Sequence, residues 1–343
     1  MTDDTPLPAG FLRIPVGQLE NEFTRVLSRH GFKPERAAQC ARVFAENSID
    51  GIYSHGVNRF ARFIQYINSG YIRVNGTPAL KHRAGGVEQW DGNLGPGPLN
   101  ALLATERAVQ LSKECGVGCV ALGNTNHWMR GGYYGWKAAK AGVVFIGWSN
   151  TLPNMPAWGA VDCRLGNNPI VLGIPYQPEA VVLDMAMSQF SYGSLETHQL
   201  GARQLPLPGG YDAEGRLTMD PGEILSSKRL LPAGYWKGSG MALLLDLLAT
   251  ILSGGLSTYQ IGKTGTDYAL SQVFITIDIC QLSDHTAIPS AIDEIIRDYK
   301  ASIPVPGSQG VLYPGERVLR TRAANWQYGI PVSTLIWEEI LSL

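Results

Sequence analysis

The chain has 343 residues, 45% hydrophobic and 17% charged, with a formal net charge of -1. That length is enough to bury a sizeable core and to hold two or three domains. The near-neutral balance excludes the basic field that a nucleic-acid or membrane-surface binder needs.

Leu19, Phe23, Val26 and Leu27 recur at helical spacing, and their stripe ends at Gly31. Pro34 suits a first helical turn, and Ala37, Cys40, Ala41 and Phe44 carry the next stripe. Residues 49–53 then lead into Ser54-His55-Gly56-Val57-Asn58-Arg59. Behind it Phe60, Phe63, Ile64 and Ile67 mark a third helix, which Asn68 and Gly70 stop. His55 therefore stands at or just before a helix start, with Arg59 one turn inside. Residues four apart share a helix face, so imidazole and guanidinium can address one small anion. Arginine forks onto a carboxylate with two parallel hydrogen bonds, and histidine trades a proton with a neighbouring oxygen. An α-keto acid, or its 2-hydroxy partner, carries both groups. The alternative is a capped surface turn. The positive end of a helix lowers a histidine pKa, so a proton donor here needs an offsetting carboxylate.

Val87-Glu88-Gln89-Trp90 alternates as a strand and meets the turn dipeptide Asp91-Gly92. A glycine-rich stretch follows, not in G-x-G-x-x-G order, then a helix over 99–114 and a buried strand over 117–122. Asn124-Thr125-Asn126-His127-Trp128-Met129-Arg130-Gly131-Gly132-Tyr133 lies just after that strand, where α/β proteins place ligands. His127 and Arg130 repeat the imidazole-plus-guanidinium pairing, and the alternative is a self-satisfied loop. A helix over 134–140 and a strand over 143–149 come next. The proline-rich 152–159 is expected to be a lid or a subunit contact. Strands follow over 170–174 and 181–184. Asp184 closes the second and is costly to bury alone. It either pairs with an imidazole or caps a helix starting near Ser188.

Gly234-Tyr235-Trp236-Lys237-Gly238-Ser239-Gly240 runs into an apolar helix over 241–248. Free backbone N–H groups, small residues and a lysine there make a phosphate site. The alternative is a glycine-padded helix start. With no third glycine and no clear preceding strand it is no Rossmann fingerprint. A strand over 272–279, a helix over 291–299, a polar turn at Tyr313-Pro314-Gly315-Glu316-Arg317 and an amphipathic helix over 332–343 complete an α/β chain.

The five cysteines include no C-x-x-C pair and the six histidines no H-E-x-x-H pattern, so no metal is expected. The odd cysteine count fits a reducing, cytoplasmic setting. Residues 1–6 lack a signal pattern, and the apolar stretch 241–252, interrupted by Asp246, is too short to span a bilayer.

Four stretches together resemble the malate/L-lactate dehydrogenase type-2 family, over nearly the whole chain. They are Tyr53-Ser54-His55-Gly56-Val57-Asn58-Arg59-Phe60 with Arg62-Phe63-Ile64-Gln65, Asn126-His127-Trp128-Met129-Arg130-Gly131-Gly132, Phe190-Ser191-Tyr192-Gly193, and Gly234 to Met241. The resemblance implies a three-layer mixed-sheet, non-Rossmann NAD-binding fold of the sulfolactate/malate dehydrogenase type, with an N-terminal helical region. It implies a helical region over 1–75, an α/β core over 76–310 and a C-terminal segment over 311–343 packing back on the first. It implies a homodimer using NADH, with NADPH possible, on a 2-keto acid. Trp128 after His127 points to the branch that reduces 2,3-diketo-L-gulonate to 3-dehydro-L-gulonate.

By the same resemblance His55 is the proton donor and Arg59 the carboxylate clamp. Val182, Leu183, Asp184, Met185, Ala186, Met187 and Ser188 line the cofactor, and Trp236, Lys237, Gly315, Glu316 and Arg317 also touch it. Asp184 is expected to keep His55 charged. Ser54, His127 and Arg130 are expected at the substrate, with Ser54 and His127 on sugar hydroxyls or the nicotinamide amide. The alternatives are a sister malate, L-lactate or ureidoglycolate dehydrogenase, a cyclic-imine reductase, or an inactive nucleotide-binding protein.

Overall fold

The computed structural model describes residues 7, 8, 10–308 and 310–343. Residues 1–6, on which the N-terminal reading rests, lie outside the described residues. A short strand β1 (Phe11–Ile14) leads into α1 (Val16–Arg29) and α2 (Pro34–Ile49). Pro34 opens α2, where a missing N–H leaves nothing unsatisfied. A 3-10 turn at Tyr53–His55 precedes α3 (Val57–Asn68). The three apolar stripes meet in one core. Phe23 stacks on Phe60 with centroids 4.2 Å apart, and Phe44 meets Phe60 edge-on at 5.2 Å.

The chain then forms β2 (Ala79–Ala84), β3 (Val87–Asp91), α4 (Gly97–Cys115), β4 (Val117–Thr125), α5 (Gly131–Lys140) and β5 (Val143–Ser149). The short β6 (Met155–Pro156) and β7 (Cys163–Leu165) pair with each other before β8 (Ile170–Pro175) and β9 (Ala180–Met185). An excursion carries α6 (Tyr192–Leu200), the ribbon β10 (Gly210–Tyr211) and β11 (Leu217–Thr218), and α7 (Pro221–Ser227). Next come α8 (Trp236–Ser253), α9 (Thr258–Thr264), β12 (Leu270–Asp278), α10 (Ile288–Lys300), α11 (Glu316–Tyr328), β13 (Ile330–Ser333) and α12 (Thr334–Ser342).

Seven strands form one mixed sheet in the order β2-β3-β4-β12-β5-β8-β9, with β3 and β4 its parallel pair. Side chains alternate across it. Val120, Leu122, Phe145 and Phe274 pack under α4 and α5, while Ala121, Trp148 and Val273 meet Ala242, Leu245 and Ala249 of α8. The result is three layers, helix on sheet on helix. The opposite face of α8 leaves Leu244, Leu247, Leu248 and Ile251 exposed, Ile251 at 68%. Among the described residues no single helix is long and apolar enough to cross a membrane.

The C-terminal helix expected over 332–343 is corrected: β13 occupies its first part and only α12 is helical. Ile14 pairs with Ile330 as β1 and β13 run antiparallel, and Ile330, Val332, Trp337 and Ile340 enter the core of the first three helices. A two-residue alternation gives little signal in so short a strand. The polar α11 was not expected, because ERVLRTRAANWQY carries no apolar stripe. The helix expected near Ser188 starts instead at Tyr192, where the Ser191 hydroxyl accepts from the Ser194 N–H.

A buried ionic knot ties these parts together. Asp50, which closes α2, accepts from Arg130 at the start of α5 and from Arg322 of α11, the latter at 2.6 and 3.0 Å. Asp50 is 6% and Arg130 4% exposed. A buried charge stripped of its partner is far costlier than the pair is valuable. Asp50→Ala is therefore expected to destabilise the fold by about 3–5 kcal/mol, read as a drop in the urea midpoint. A change under about 1 kcal/mol would remove the knot from this role.

Candidate active site

The site is built where the helical region meets the end of β4. Helix α2 supplies the start of α3: the Val57 N–H donates to Ser48 Oγ at 2.9 Å, and that hydroxyl donates to the Phe44 carbonyl at 2.8 Å. A Cβ on Gly56 would fall 2.2 Å from Ser48 Oγ, so only glycine admits this approach. The Asn47 amide donates to the His55 carbonyl at 3.0 Å. The loop before the helix is thus pinned on both sides of His55.

His55 Nδ1 lies 3.0 Å from Ser54 Oγ, and the His55 ring stacks on His127 with centroids 5.7 Å apart. His127 comes from the segment after β4. Its Nδ1 accepts from the Met129 N–H at 3.0 Å, a geometry set by the left-handed Met129, φ 66°. An accepting Nδ1 places the proton of the neutral ring on Nε2. Burial pushes the His55 pKa down to about 3, helped by the charges of His127, Arg59 and Arg130. Burial likewise lowers His127 to about 3, helped by Arg59 and Arg62. The depression expected from the helix end is thus present, with burial as its main cause.

Arg59, Arg62, Tyr66, Asn126, His127 and Met129 line one cleft. The imidazole that shares this cleft with Arg59 is His127, not the expected His55, which stacks on His127 and is not among the lining residues. Among the described residues the side chains of Arg59 and Arg62 make no hydrogen bond or ion pair. Burial, then the charge of Arg62, lowers the Arg59 pKa. Asp267, beyond α9, feels the charges of Arg59 and Arg62 and accepts from the Leu152 N–H at 3.1 Å. Burial raises its carboxyl pKa against those three opposing influences. Asn126 donates to the carbonyls of Tyr71, Leu94 and Gly95, leaving its buried Oδ1 without a partner. Arg62 was legible as the residue one turn beyond Arg59. Asp267 carried no local signal at all.

Two expectations are corrected. Asp184 does not pair with an imidazole. Its Oδ2 accepts from the Gly132 N–H at 2.8 Å and lies 3.7 Å from Arg130 Nε, so it caps α5 and not a helix near Ser188. Burial raises its pKa, opposed by Arg130 and that N–H. Arg130 is held in the buried knot and is not among the cleft's lining, because its charge is needed by Asp50.

Of the residues expected at the cofactor, Val182 meets Gly315, and Met187 and Ser188 meet the segment just before Trp236. The Val182 N–H donates to the Pro314 carbonyl at 3.0 Å, and Gly315, φ 96°, sits against the Val182 backbone. Met187 O accepts from Ala233 N at 2.8 Å, and Ser188 bridges to Pro232, just before Trp236 and Lys237. Leu183 is half-buried, Met185 is 36% exposed, and Ala186 lies between these anchors. Lys237 and Arg317 make no ion pair among the described residues, whereas Glu316 is engaged by Lys300 and Arg320, each at 2.7 Å. The free N–H groups expected at the start of α8 are largely used. Those of Lys237, Gly238 and Ser239 donate to Gly234, Ala233 and Tyr235, because the chain folds back through Tyr235 at φ 61°. In the 152–159 loop Trp158 packs on Tyr235 with centroids 5.0 Å apart.

Two neutral imidazoles beside two guanidiniums without a side-chain partner, in an α/β core without a Rossmann fingerprint, make a site suited to a small oxyacid anion. The chain belongs to the malate/L-lactate dehydrogenase family, whose pattern matches residues 14–341. It is 43% identical to a 2,3-diketo-L-gulonate reductase of Escherichia coli, over 97% of this chain and all of that one. Its fold matches malate dehydrogenase from Pyrococcus horikoshii with a TM-score of 0.88 at 27% identity, covering 99% and 96% of the two chains. Sulfolactate dehydrogenase from Methanocaldococcus jannaschii matches with a TM-score of 0.88 at 26% identity, over 96% and 95%. The protein is a dehydrogenase of this family, which reduces a keto acid with a nicotinamide cofactor.

The lowered imidazoles carry a stability consequence. An unfolded imidazole titrates near 6.5, roughly three units above the folded one, so between these values the unfolded chain binds more protons. Stability therefore falls as pH drops through about 6.5 toward 3. The double variant His55→Asn/His127→Asn is expected to lose less urea resistance than the parent between about pH 7 and about pH 5. Parallel losses would contradict the burial of two neutral rings.

Proposed function

We propose that the protein reduces 2,3-diketo-L-gulonate to 3-dehydro-L-gulonate, with NADH preferred over NADPH. The observation that carries this is the cleft shared by Arg59 and His127, with His55 stacked on His127. The name of the 43% identical relative supports the choice of substrate. Arg59 forks onto the substrate carboxylate and sets the carbonyl toward His55. A nicotinamide, when bound, would supply the hydride for C2, and His55 would give its proton to the C2 oxygen. In the imidazolium the Ser54 hydroxyl oxygen accepts from Nδ1–H, so that proton stays on the ring while the Nε2 proton is given. His127 Nε2–H donates to a substrate hydroxyl or to the nicotinamide amide. In the free protein the imidazolium is disfavoured. An arriving carboxylate offsets Arg59 and raises the His55 pKa, so the proton enters with the substrate. Asp184 and Arg130 act as positioning residues behind the pair.

The run 182–188 with Trp236 and with residues 315–317 would hold the dinucleotide. Unpaired Lys237 and Arg317 are suited to its phosphates, while Glu316, already neutralised, supports the fold there. The helical region 1–75 and the core 76–310 supply opposite walls of the substrate cleft, with 311–343 bracing the first. The cysteine content fits a reducing cytoplasm.

A second reading rests on Arg62. A second cleft guanidinium suits a dicarboxylate, as in a malate dehydrogenase. Absorbance assays with NADH and NADPH across 2,3-diketo-L-gulonate, oxaloacetate and pyruvate decide, and no turnover on any of them would overturn the enzyme reading. His55→Ala is expected to lose roughly a hundredfold to ten-thousandfold in turnover with the fold retained. Arg59→Lys is expected to raise KM about tenfold or more, since the fork is lost.

The bare face of α8 supports a homodimer. Four large apolar side chains on one helix face exceed the scattered exposure of a monomer. Leu244→Glu with Ile251→Glu is expected to give monomers in sedimentation velocity, and an unaltered dimer would move the interface elsewhere.

A further inference from the structure

We infer that the two stacked imidazoles divide the work: His55 alone carries the proton, while His127 is a locked, neutral ring whose Nε2–H reads an acceptor oxygen on the bound ligand. The inference rests on the reading of the cleft as a 2-keto-acid site and deepens it. The two rings differ in what faces Nδ1. Nδ1 of His55 lies 3.0 Å from the Ser54 hydroxyl, which donates to a neutral ring and accepts from a charged one. His55 therefore keeps that bond in either state. Nδ1 of His127 faces the Met129 N–H at 3.0 Å, a group that only donates. Protonating Nδ1 would break this bond and set two donors against each other. Nε2 of His127 makes no hydrogen bond among the described residues, and the residue lines the cleft with Arg59 and Arg62. The one polar atom that His127 has to spare is thus a donor.

The segment around the ring is braced so that this bond holds. The Asn126 side chain donates to the carbonyls of Tyr71, Leu94 and Gly95, and the Asn126 carbonyl accepts from Gln272 Nε2 at 3.0 Å. The Trp128 carbonyl accepts from the Tyr134 hydroxyl at 2.7 Å. A Cβ on Gly97 would fall 2.1 Å from the His127 carbonyl oxygen, so the start of α4 lies hard against the His127 backbone. Met129, φ 66°, then turns its N–H back onto the ring. The surrounding charges act in the same direction. Arg59 and Arg62 of α3 oppose a charged His127, and no carboxylate bonds either ring nitrogen among the described residues. The lock also serves the neighbour. Two charged rings with centroids 5.7 Å apart would repel each other. With His127 held neutral, His55 takes its charge without that opponent when a carboxylate arrives.

The test has a spectroscopic arm and a kinetic one. Imidazole nitrogen NMR of the parent enzyme, with the His127 signals assigned by their loss in His127→Gln, follows the ring from about pH 8 to about pH 5. The spectra are taken on the free enzyme and with NADH and oxamate, a non-reacting mimic of a 2-keto acid. His127 is expected to stay neutral with its proton on Nε2 throughout. The kinetic arm measures turnover of 2,3-diketo-L-gulonate against pH for the parent, His127→Gln and His127→Leu, with urea midpoints alongside. Glutamine keeps an N–H donor and has nothing to titrate. His127→Gln is expected to stay within about tenfold of the parent in kcat/KM, and His127→Leu to lose about tenfold to a hundredfold beyond that. The fall in kcat as pH rises, which reports His55 in the complex, is expected at the same pH in both variants. A His127 ring that titrates in this window, or that carries its proton on Nδ1, overturns the inference. So does a His127→Gln profile that has lost the falling limb, or an equal loss in the two variants. A parent inactive on every keto acid removes the 2-keto-acid reading, while the NMR arm still decides the state of His127.

Discussion

Asp50, held between Arg130 and Arg322, is the constraint on which the rest of the molecule depends. A carboxylate this deeply buried is tolerable only with its cations in place. Those cations come from the start of α5 and from α11, so three segments distant in sequence must arrive together. The same residues border the site. His55 follows Asp50 by one short turn, and His127 precedes Arg130 by three residues. The contact that closes the fold therefore also sets the spacing of the two imidazoles.

The cleft inverts that logic. Where Asp50 is fully matched, Arg59 and Arg62 are left without partners, and the two histidines are kept neutral by burial. Such a place suits an anion, because an arriving carboxylate would offset the charges that depress the imidazole. Asp184 contributes at one remove. It caps α5 and steadies Arg130, and Arg130 in turn lies close enough to act on His55.

The helices around the motif were legible because their apolar residues recur at the helical period, as in Phe60, Phe63 and Ile64 of α3. The central strands were legible because they are continuous apolar runs, as in β4 and β5. What escaped had no such period. The polar α11 is helical because its ends are fixed, by Gly315 at one side and by Gly329, φ 86°, at the other. β1 and β13 are short and complete one another across more than three hundred residues, a pairing with no local trace. Arg130 and Asp184 misled because a charged residue beside a motif has the same sequence appearance whether it meets a ligand or a buried counter-charge.

The linear chain determined the helical region, the α/β core and the absence of a Rossmann fingerprint, since apolar spacing along one element is a local property. Tertiary structure decided which charges are spare. Only folding shows that Arg130 is occupied by Asp50 while the side chains of Arg59 and Arg62 meet no carboxylate among the described residues. Charge pairing depends on distances of a few ångströms between residues hundreds apart, and no pattern in the sequence encodes those distances.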